Sequence, residues 1–277
     1  MRDNTITVLC IGDVVGLPGR MMFQKYSGHL KERYNNPVII VNGENSSSQG
    51  RGITPRIMRF FKHNGADVVT SGNHIWQKRD IYSYFTEHTD LIRPANFYSK
   101  APGSGVALCT KNGISVGVIN LQGRVFMKEL VDCPFRTAES ILTFLKHKTS
   151  VIIVDMHAET TSEKMAMGHF LDGKVSAVVG THTHTQTADE RVLPGGTAFM
   201  TDLGMGGALN GMLGMKKEAI IENFITQMPT KFVVDTTPPF CLQGAAITID
   251  TDSGRARAIE RFNIIDHELT VGEETEE

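Results

Sequence analysis

Val38-Ile39-Ile40-Val41-Asn42-Gly43-Glu44-Asn45 is a run of four apolar residues that gives way at once to polar ones. A short continuous apolar run with no polar alternation reads as a strand buried on both faces, the condition of a parallel strand covered by helices. Upstream, Asn35-Asn36-Pro37 breaks a helix-like periodicity over Gly19 to Tyr34, and Thr5 to Ile11 reads as a first strand. Downstream, Thr54-Pro55 starts a helix, with Thr as N-cap and Pro at the first helical position, and Gly65 is placed to stop it. Asp67 to Thr70 then reads as a third strand. This alternation calls for an α/β fold with parallel strands.

Further along, Gly105 to Thr110 and Ile114 to Leu121 flank Lys111-Asn112-Gly113, whose Asn-Gly pair suits a two-residue hairpin. Antiparallel pairing therefore enters, and the sheet is mixed. The alternation resumes with helix Ala138 to Lys146, strand Val151 to Val154, helix Ser162 to Leu171 and strand Val175 to Val179. After Pro194 the strands near Thr197 to Thr201, Gly244 to Asp250 and Ala256 to Ile264 are separated by Gly- and Pro-rich loops, which predicts an antiparallel second sheet. We expect a single domain over residues 1–270 and a solvated acidic tail over 271–277, which ends in Glu273-Glu274-Thr275-Glu276-Glu277.

The composition supports a folded domain and narrows the function. Of 277 residues, 40% are hydrophobic and 21% charged, enough apolar surface for a sizeable core. Lys plus Arg number 28 against 30 Asp plus Glu, so no basic field draws nucleic acid non-specifically. Apolar runs such as Val151 to Val154 fall far short of the roughly 20 residues that a membrane helix needs. Cys10, Cys109, Cys133 and Cys241 are scattered without a C-x-x-C pair, so reduced, mostly buried thiols in a cytoplasmic protein are expected.

Five apolar strands each end in residues of metal-binding type. They are Gly12-Asp13, Asn42-Gly43-Glu44-Asn45, Ser71-Gly72-Asn73-His74, Asp155-Met156-His157 and Gly180-Thr181-His182-Thr183-His184. In an open α/β sheet ligands bind beyond the carboxyl ends of the strands, so these five loop starts should converge. Their oxygen and imidazole donors, without thiolate, exceed what one ion needs, and two adjacent divalent ions are the natural reading. Glu44 can bridge them, and Asp13 and Glu44 supply the negative charge that two cations require.

Each residue alone has a plainer reading. Asp13 and Asn73 suit Asx-turns, Glu44-Asn45 suits a polar loop or helix cap, and His157 suits a satisfied core histidine. His182 and His184 are harder to dismiss, because imidazoles at i and i+2 project to one side if the strand persists. Met205, Met212 and Met215 either line a pocket wall or fill gaps, the second being favoured, and Trp76 either stacks on a base or packs. The remaining histidines, His29, His63, His88, His147, His169 and His267, receive no role. A dinucleotide loop over Gly12 to Gly19, with Glu44 as ribose acceptor, is disfavoured because Val14 fills the second glycine's place.

At these motifs the sequence resembles the calcineurin-type metallophosphoesterases, and more closely the YmdB-like bacterial phosphodiesterases. The resemblance spans nearly the whole chain. The Gly-Asp turn at Asp13, Gly72-Asn73-His74, the lone His157 and Gly180 to His184 stand in the family's order. Val15 and Glu44 replace a His and an Asp of the wider superfamily, as in the YmdB-like subgroup, where Asn45 would take over a ligand position. The resemblance implies two mixed β-sheets sandwiched between α-helical layers and a dinuclear centre, commonly iron in this subgroup, with manganese or zinc as alternatives. By position, one ion would take Asp13, Glu44, Asn45 and His184, the other Glu44, Asn73, His157 and His182. His74 would be the proton donor.

The implied activity is hydrolysis of a small phosphodiester, with 2′,3′- or 3′,5′-cyclic nucleotides as substrates. A hydroxide bridging two Lewis acids is accessible near neutral pH and would attack phosphorus, while His74 protonates the departing oxygen. No membrane or non-specific nucleic-acid partner is expected, and homo-oligomerisation is left open. A metal-binding regulatory protein with weak or no catalysis is the competing reading.

Overall fold

A computed structural model describes residues 4–272, so the predicted tail beyond Gly272 lies outside the described residues. Its strands are Thr5–Ile11 (β1), Asp13–Val14 (β2), Val38–Asn42 (β3), Val68–Thr70 (β4), Val106–Lys111 (β5), Ile114–Gln122 (β6), Val151–His157 (β7), Ala177–Thr181 (β8), Arg191–Val192 (β9), Ala198–Met200 (β10), Met205–Ala208 (β11), Phe240–Asp250 (β12) and Ala256–Asp266 (β13). The helices are Gly16–Arg33 (α1), Pro55–His63 (α2), Ile81–Glu87 (α3), Pro134–Leu145 (α4), Thr161–Leu171 (α5) and Lys217–Thr226 (α6). Among the described residues no helix is long and apolar enough to cross a membrane.

The strands form two mixed sheets. One runs β2-β11-β12-β1-β3-β4 with β13 added on β12, and the other runs β5-β6-β7-β8-β10-β9. Strands β1, β3 and β4 pair in parallel, as do β6, β7, β8 and β10. Because strand side chains alternate between faces, each buried strand divides its apolar residues between two layers. Val8, Val38, Ile40, Val116, Ile153 and Val179 pack in the core between the sheets. Their neighbours Leu9, Ile39 and Val41 pack outward in a cluster with Phe23 of α1 and Met58 and Phe61 of α2. On the far side, Ile152, Val154 and Val178 meet Leu142 of α4 and Met167 of α5. Two sheets thus lie between two helical layers, in the arrangement implied by the resemblance.

Local signals explain several boundaries. The Thr54 side chain accepts from the Ile57 N–H at 3.3 Å, capping α2. Asn112 and Gly113 both take positive φ, 53° and 78°, and join β5 to β6 with Lys111 opposite Ile114, as the hairpin signal predicts. Other boundaries differ from expectation. α1 begins at Gly16 rather than Gly19, and α4 begins at Pro134 rather than Ala138. β8 starts at Ala177 and runs on to Thr181. The predicted antiparallel second sheet does not form as such. β12 and β13 join the first sheet, β12 lying antiparallel to β1 with Thr5 opposite Asp250, while β10 joins the other sheet parallel to β8. The apolar row Ala245, Ile247 and Ile249 is buried between the sheets, which fixes β12 beside β1.

Candidate metal centre

The inter-sheet rows that supply the core turn polar at the carboxyl ends of the strands. Val38 and Ile40 are followed on the same face by Asn42, Val151 and Ile153 by Asp155 and His157, and Ala177 and Val179 by Thr181. Both sheets therefore deliver polar side chains to one edge. The strand ends and the loops that follow bring Asp13, Glu44, Asn73, His157, His182 and His184 together there.

His157 lies at the centre. Its Nε2 is 3.1 Å from Glu44 Oε1, 3.0 Å from Asn73 Oδ1 and 3.1 Å from His182 Nδ1. Ligand atoms of Glu44, His157 and His182 all lie within 4.8 Å of one another, close enough to share one ion. Asp13 Oδ1 is 3.8 Å from His184 Nε2 and 4.0 Å from His157 Nδ1, and Asp13 Oδ2 accepts from the His182 N–H at 3.1 Å. Gly72 lies so close that a Cβ there would run into the His157 imidazole, so only glycine fits. Asn45 donates to the Gly50 carbonyl at 2.9 Å and lines the adjoining cavity with Glu44, His74, His182 and His184.

A further set of contacts aims these side chains. Thr181 donates its hydroxyl to Asp155 Oδ1 at 2.6 Å, so the Thr181 oxygen is left to accept from His157 Nδ1 at 3.0 Å. That bond holds a proton on Nδ1 and turns Nε2 toward Glu44 and Asn73. Thr70 and Asn42 also donate to Asp155, at 2.5 and 3.2 Å. Glu159 Oε2 lies 3.0 Å from His182 Nε2, and the Leu213 carbonyl accepts from His184 Nδ1 at 3.1 Å. Beneath the histidine loop, Lys164 and Asp202 form a fully buried pair at 2.7 Å, and Thr183 donates to the same carboxylate at 2.6 Å.

Charge is tightly coupled to this geometry. Burial would lower the His157 pKa, but Glu44 and its hydrogen bond, with Asp13 and Asp155, outweigh it and raise it to about 9. Burial would raise Glu44, but the His157 cation holds it below the usual carboxylate range. Burial raises Asp13 and Asp155. Burial, then the His157 cation, depresses His182 to about 3, and burial lowers His74. His157 thus sits as a cation between two carboxylates.

Among the described residues, Asp13 Oδ1 and Asn45 Oδ1 are fully buried oxygens without a hydrogen bond. A buried, unsatisfied carboxylate oxygen is costly unless a cation meets it, and the donor set around it is oxygen and imidazole. These residues fit divalent metal.

The structure brings the predicted site residues to one place, but not in the predicted way for the histidine pair. The strand ends at Thr181, and His182 and His184 both take left-handed backbone, φ 94° and 56°. They reach the cluster from a turn held by Asp13 and Asp202 rather than from one face of a continuing strand. Trp76 packs against Tyr82, Phe85 and Phe97 and is a packing residue. Met212 and Met215 do line the cavity, whereas Met205 is buried beside Cys241. The four cysteines are free, Cys10 and Cys241 buried, Cys109 and Cys133 partly so. The sequence assigns no role to Asp155, Glu159, Lys164 or Asp202. Glu159 and Lys164 stand in stretches that carry the family resemblance, and Asp155 has a local signal, its place two residues before His157 on the same face of β7.

The chain matches a family model described as YmdB-like protein over residues 9–262. It is 45% identical over 262 residues to a 2′,3′-cyclic-nucleotide 2′-phosphodiesterase of Bacillus subtilis (strain 168), covering 95% of this chain and 98% of that protein. A crystal structure of a hypothetical protein from Thermus thermophilus is similar at TM-score 0.87 and 34% identity, covering 94% of this chain and 100% of that one. A crystal structure of a novel phosphatase from Mycoplasma pneumoniae is similar at TM-score 0.88 and 32% identity, covering 95% and 94%. A family match over nearly the whole length, together with a 45%-identical relative covered almost end to end, establishes that this chain belongs to the YmdB-like family.

Proposed function

We propose that this chain is a cytoplasmic metal-dependent phosphodiesterase that hydrolyses cyclic nucleotides, 2′,3′-cyclic esters first among them. The observation that carries the reading is the cluster of buried Asp13, Glu44 and His157 with half-buried His182 and His184, and with orphaned oxygens on Asp13 and Asn45. The substrate class is supported by the activity named for the 45%-identical relative. Four free thiols suit a reducing compartment.

Asp13, Glu44, Asn45 and His184 would hold one ion, and Glu44, Asn73, His157 and His182 the other, with iron as the native pair and manganese or zinc as substitutes. When bound, such a pair supplies Lewis acidity toward phosphoryl oxygens and an activated water near neutral pH. The chain's own residues do the rest. Asp155, through Thr181, keeps the His157 Nδ1 protonated and Nε2 facing the cluster, while Glu159 orients His182. His74 lines the cavity with its backbone N–H donating to Glu44 Oε2 at 3.0 Å, and its imidazole would deliver the proton that an alkoxide leaving group needs. Substrate enters through a cavity of about 500 Å³.

The test is turnover of 2′,3′-cyclic AMP by protein stripped with chelator and reloaded with Fe²⁺ or Mn²⁺, under anaerobic conditions. Restored turnover orders of magnitude above the metal-free rate is expected. Full metal loading without turnover would overturn the enzymatic reading and leave a metal-binding regulatory protein.

A further inference from the structure

The cavity beside the metal cluster is lined by two chemically different sets of side chains. Glu44, Arg51, His74, Glu159, His182 and His184 are its ionisable groups, and Met212, Leu213, Met215, Ile220, Phe224 and Phe232 form an apolar wall. Parts of that wall are exposed. Leu213 is 49% exposed and Phe224 67%, though both border a pocket that adjoins the buried cluster. Met212 and Met215 exchange backbone hydrogen bonds at 2.8 and 3.0 Å around a two-residue turn, and both of its central residues take positive φ, Leu213 at 56° and Gly214 at 83°. Such turns favour Asn-Gly, and leucine in the first position is strained. The turn places the Leu213 carbonyl on His184 Nδ1, a contact that offsets the strain, and sets its isobutyl group at the cavity.

From this we infer that the Leu213–Phe224 wall is the subsite for the nucleobase of the substrate, and that it reads the base by apolar contact. The inference rests on the cyclic-nucleotide reading above. A planar base attached to a ribose cyclic phosphate must lie beside the metal cluster once the phosphate is in it, and this wall adjoins that cluster. The volume suits a nucleotide, since small-molecule sites commonly enclose about 300–1,000 Å³. These six wall residues have no hydrogen-bonding side chain other than weak thioether acceptors, so the wall itself offers no donor and acceptor pattern to separate adenine from guanine, cytosine or uracil; Arg51 and Glu159, which line the same cavity, are the groups through which a polar preference would arise. Binding energy from a part of the substrate that does not react is then available to every base. Leu213 is the positioning link, its backbone aiming a cluster imidazole and its side chain contacting the base.

The experiment compares metal-loaded wild-type protein with Leu213→Gly and Phe224→Ala, on 2′,3′-cyclic AMP and on methyl riboside 2,3-cyclic phosphate, which lacks a base. Leu213→Gly keeps the carbonyl and relieves the backbone; Phe224→Ala removes an exposed side chain, and circular dichroism checks that each variant is folded. For the wild type, kcat/KM should favour the nucleotide about tenfold or more, as burial of a base against an apolar wall implies, with the four common bases within about fivefold of one another. Each variant should collapse the nucleotide-to-riboside ratio toward one, chiefly through KM. Equal wild-type rates on both compounds, an unchanged ratio in both variants, or preference for one base by about a hundredfold, as polar readout gives, would overturn the inference while leaving the phosphodiesterase reading intact. Sedimentation showing that Phe224→Ala splits a dimer, with the ratio unchanged, would assign the wall to a second copy of the chain. Failure of the loaded wild type on both compounds would bring down the phosphodiesterase reading and this inference with it.

Discussion

Binding of metal must evict a proton from the centre of the cluster. In the protein without metal, His157 is a buried cation with its pKa raised to about 9, its Nε2 facing Glu44 and Asn73. A metal needs that same nitrogen deprotonated. At pH 7 the proton therefore opposes binding by roughly two pH units, about 3 kcal/mol. The apparent affinity for Mn²⁺ should rise about tenfold per pH unit from pH 7, levelling off near pH 9, for a total of about a hundredfold. Titration calorimetry in buffers of different ionisation enthalpy counts the protons released. From pH 7 to pH 9.5 that count should fall by about three quarters of a proton, because His157 is by then largely neutral before metal arrives; protons released at both pH values cancel in the difference. The same group sets the pH dependence of stability without metal. A pKa raised from 6.5 to about 9 on folding means that its contribution, about 3 kcal/mol shared with Glu44, is present in full below about pH 6.5 and is lost as pH rises through about 9. A proton count that does not change with pH, or metal affinity that is flat from pH 7 to 9, would refute the reasoning.

Three further outcomes follow from single contacts. His74→Ala should cost a natural cyclic nucleotide far more than a nitrophenyl phosphodiester, whose leaving group needs no proton, and in the wild type the activity on the natural ester should decline with rising pH through a midpoint below about 6.5, because burial lowers this pKa; equal losses on both esters would remove His74 from the proton-donor role. Gly72→Ala should place a methyl group in the His157 ring, lowering stability by about 1–3 kcal/mol and leaving the protein short of metal by elemental analysis, so that full loading at wild-type stability would contradict the close approach. Lys164→Met should strand the Asp202 carboxylate and cost about 3–5 kcal/mol in urea denaturation; a loss under about 1 kcal/mol would mean that the pair does not anchor the histidine loop.

What the sequence discloses and what it hides divide along a physical line. Features set by neighbours in the chain are legible: the fully apolar run Val38 to Val41, the Asn112-Gly113 turn and the Thr54-Pro55 helix start all act locally. Residue type at strand ends is also local, so most of the site's inventory can be read without coordinates. The partner of β12 is not local. Its register against β1 joins Ile11 to Gly244, and nothing near either residue announces the other. The short helices α3 and α6 are not anticipated, being seven and ten residues long with little periodic signal. The left-handed backbone at His182 and His184 is invisible for a related reason. Non-glycine residues avoid it unless tertiary contacts compensate, and the compensating groups, Asp13, Asp202 and Leu213, come from elsewhere in the chain.

The clearest meeting of fold and chemistry is Asp155. It continues the apolar row Val151 and Ile153 toward the cluster, and it accepts from Thr70, Thr181 and Asn42, drawn from three other strands. Replacing it by Asn keeps the volume but turns one accepting oxygen into a donor facing donors. At least one hydrogen bond is lost and a buried polar group is left unsatisfied, for about 1–3 kcal/mol. If Asp155 serves only to hold the strands together, Asp155→Asn lowers the melting temperature and nothing else. If it sets the Thr181 hydroxyl, and through it the His157 tautomer, the folded variant should also bind Mn²⁺ about 10–100-fold more weakly, since groups behind metal ligands commonly contribute that much. Calorimetry well below the variant's melting temperature separates the two, because only folded protein is then titrated. Wild-type affinity in the folded variant would reduce Asp155 to a strut. Weakened affinity would show that the inter-sheet row, core for most of its length, becomes the aiming device of the metal centre in its last two residues.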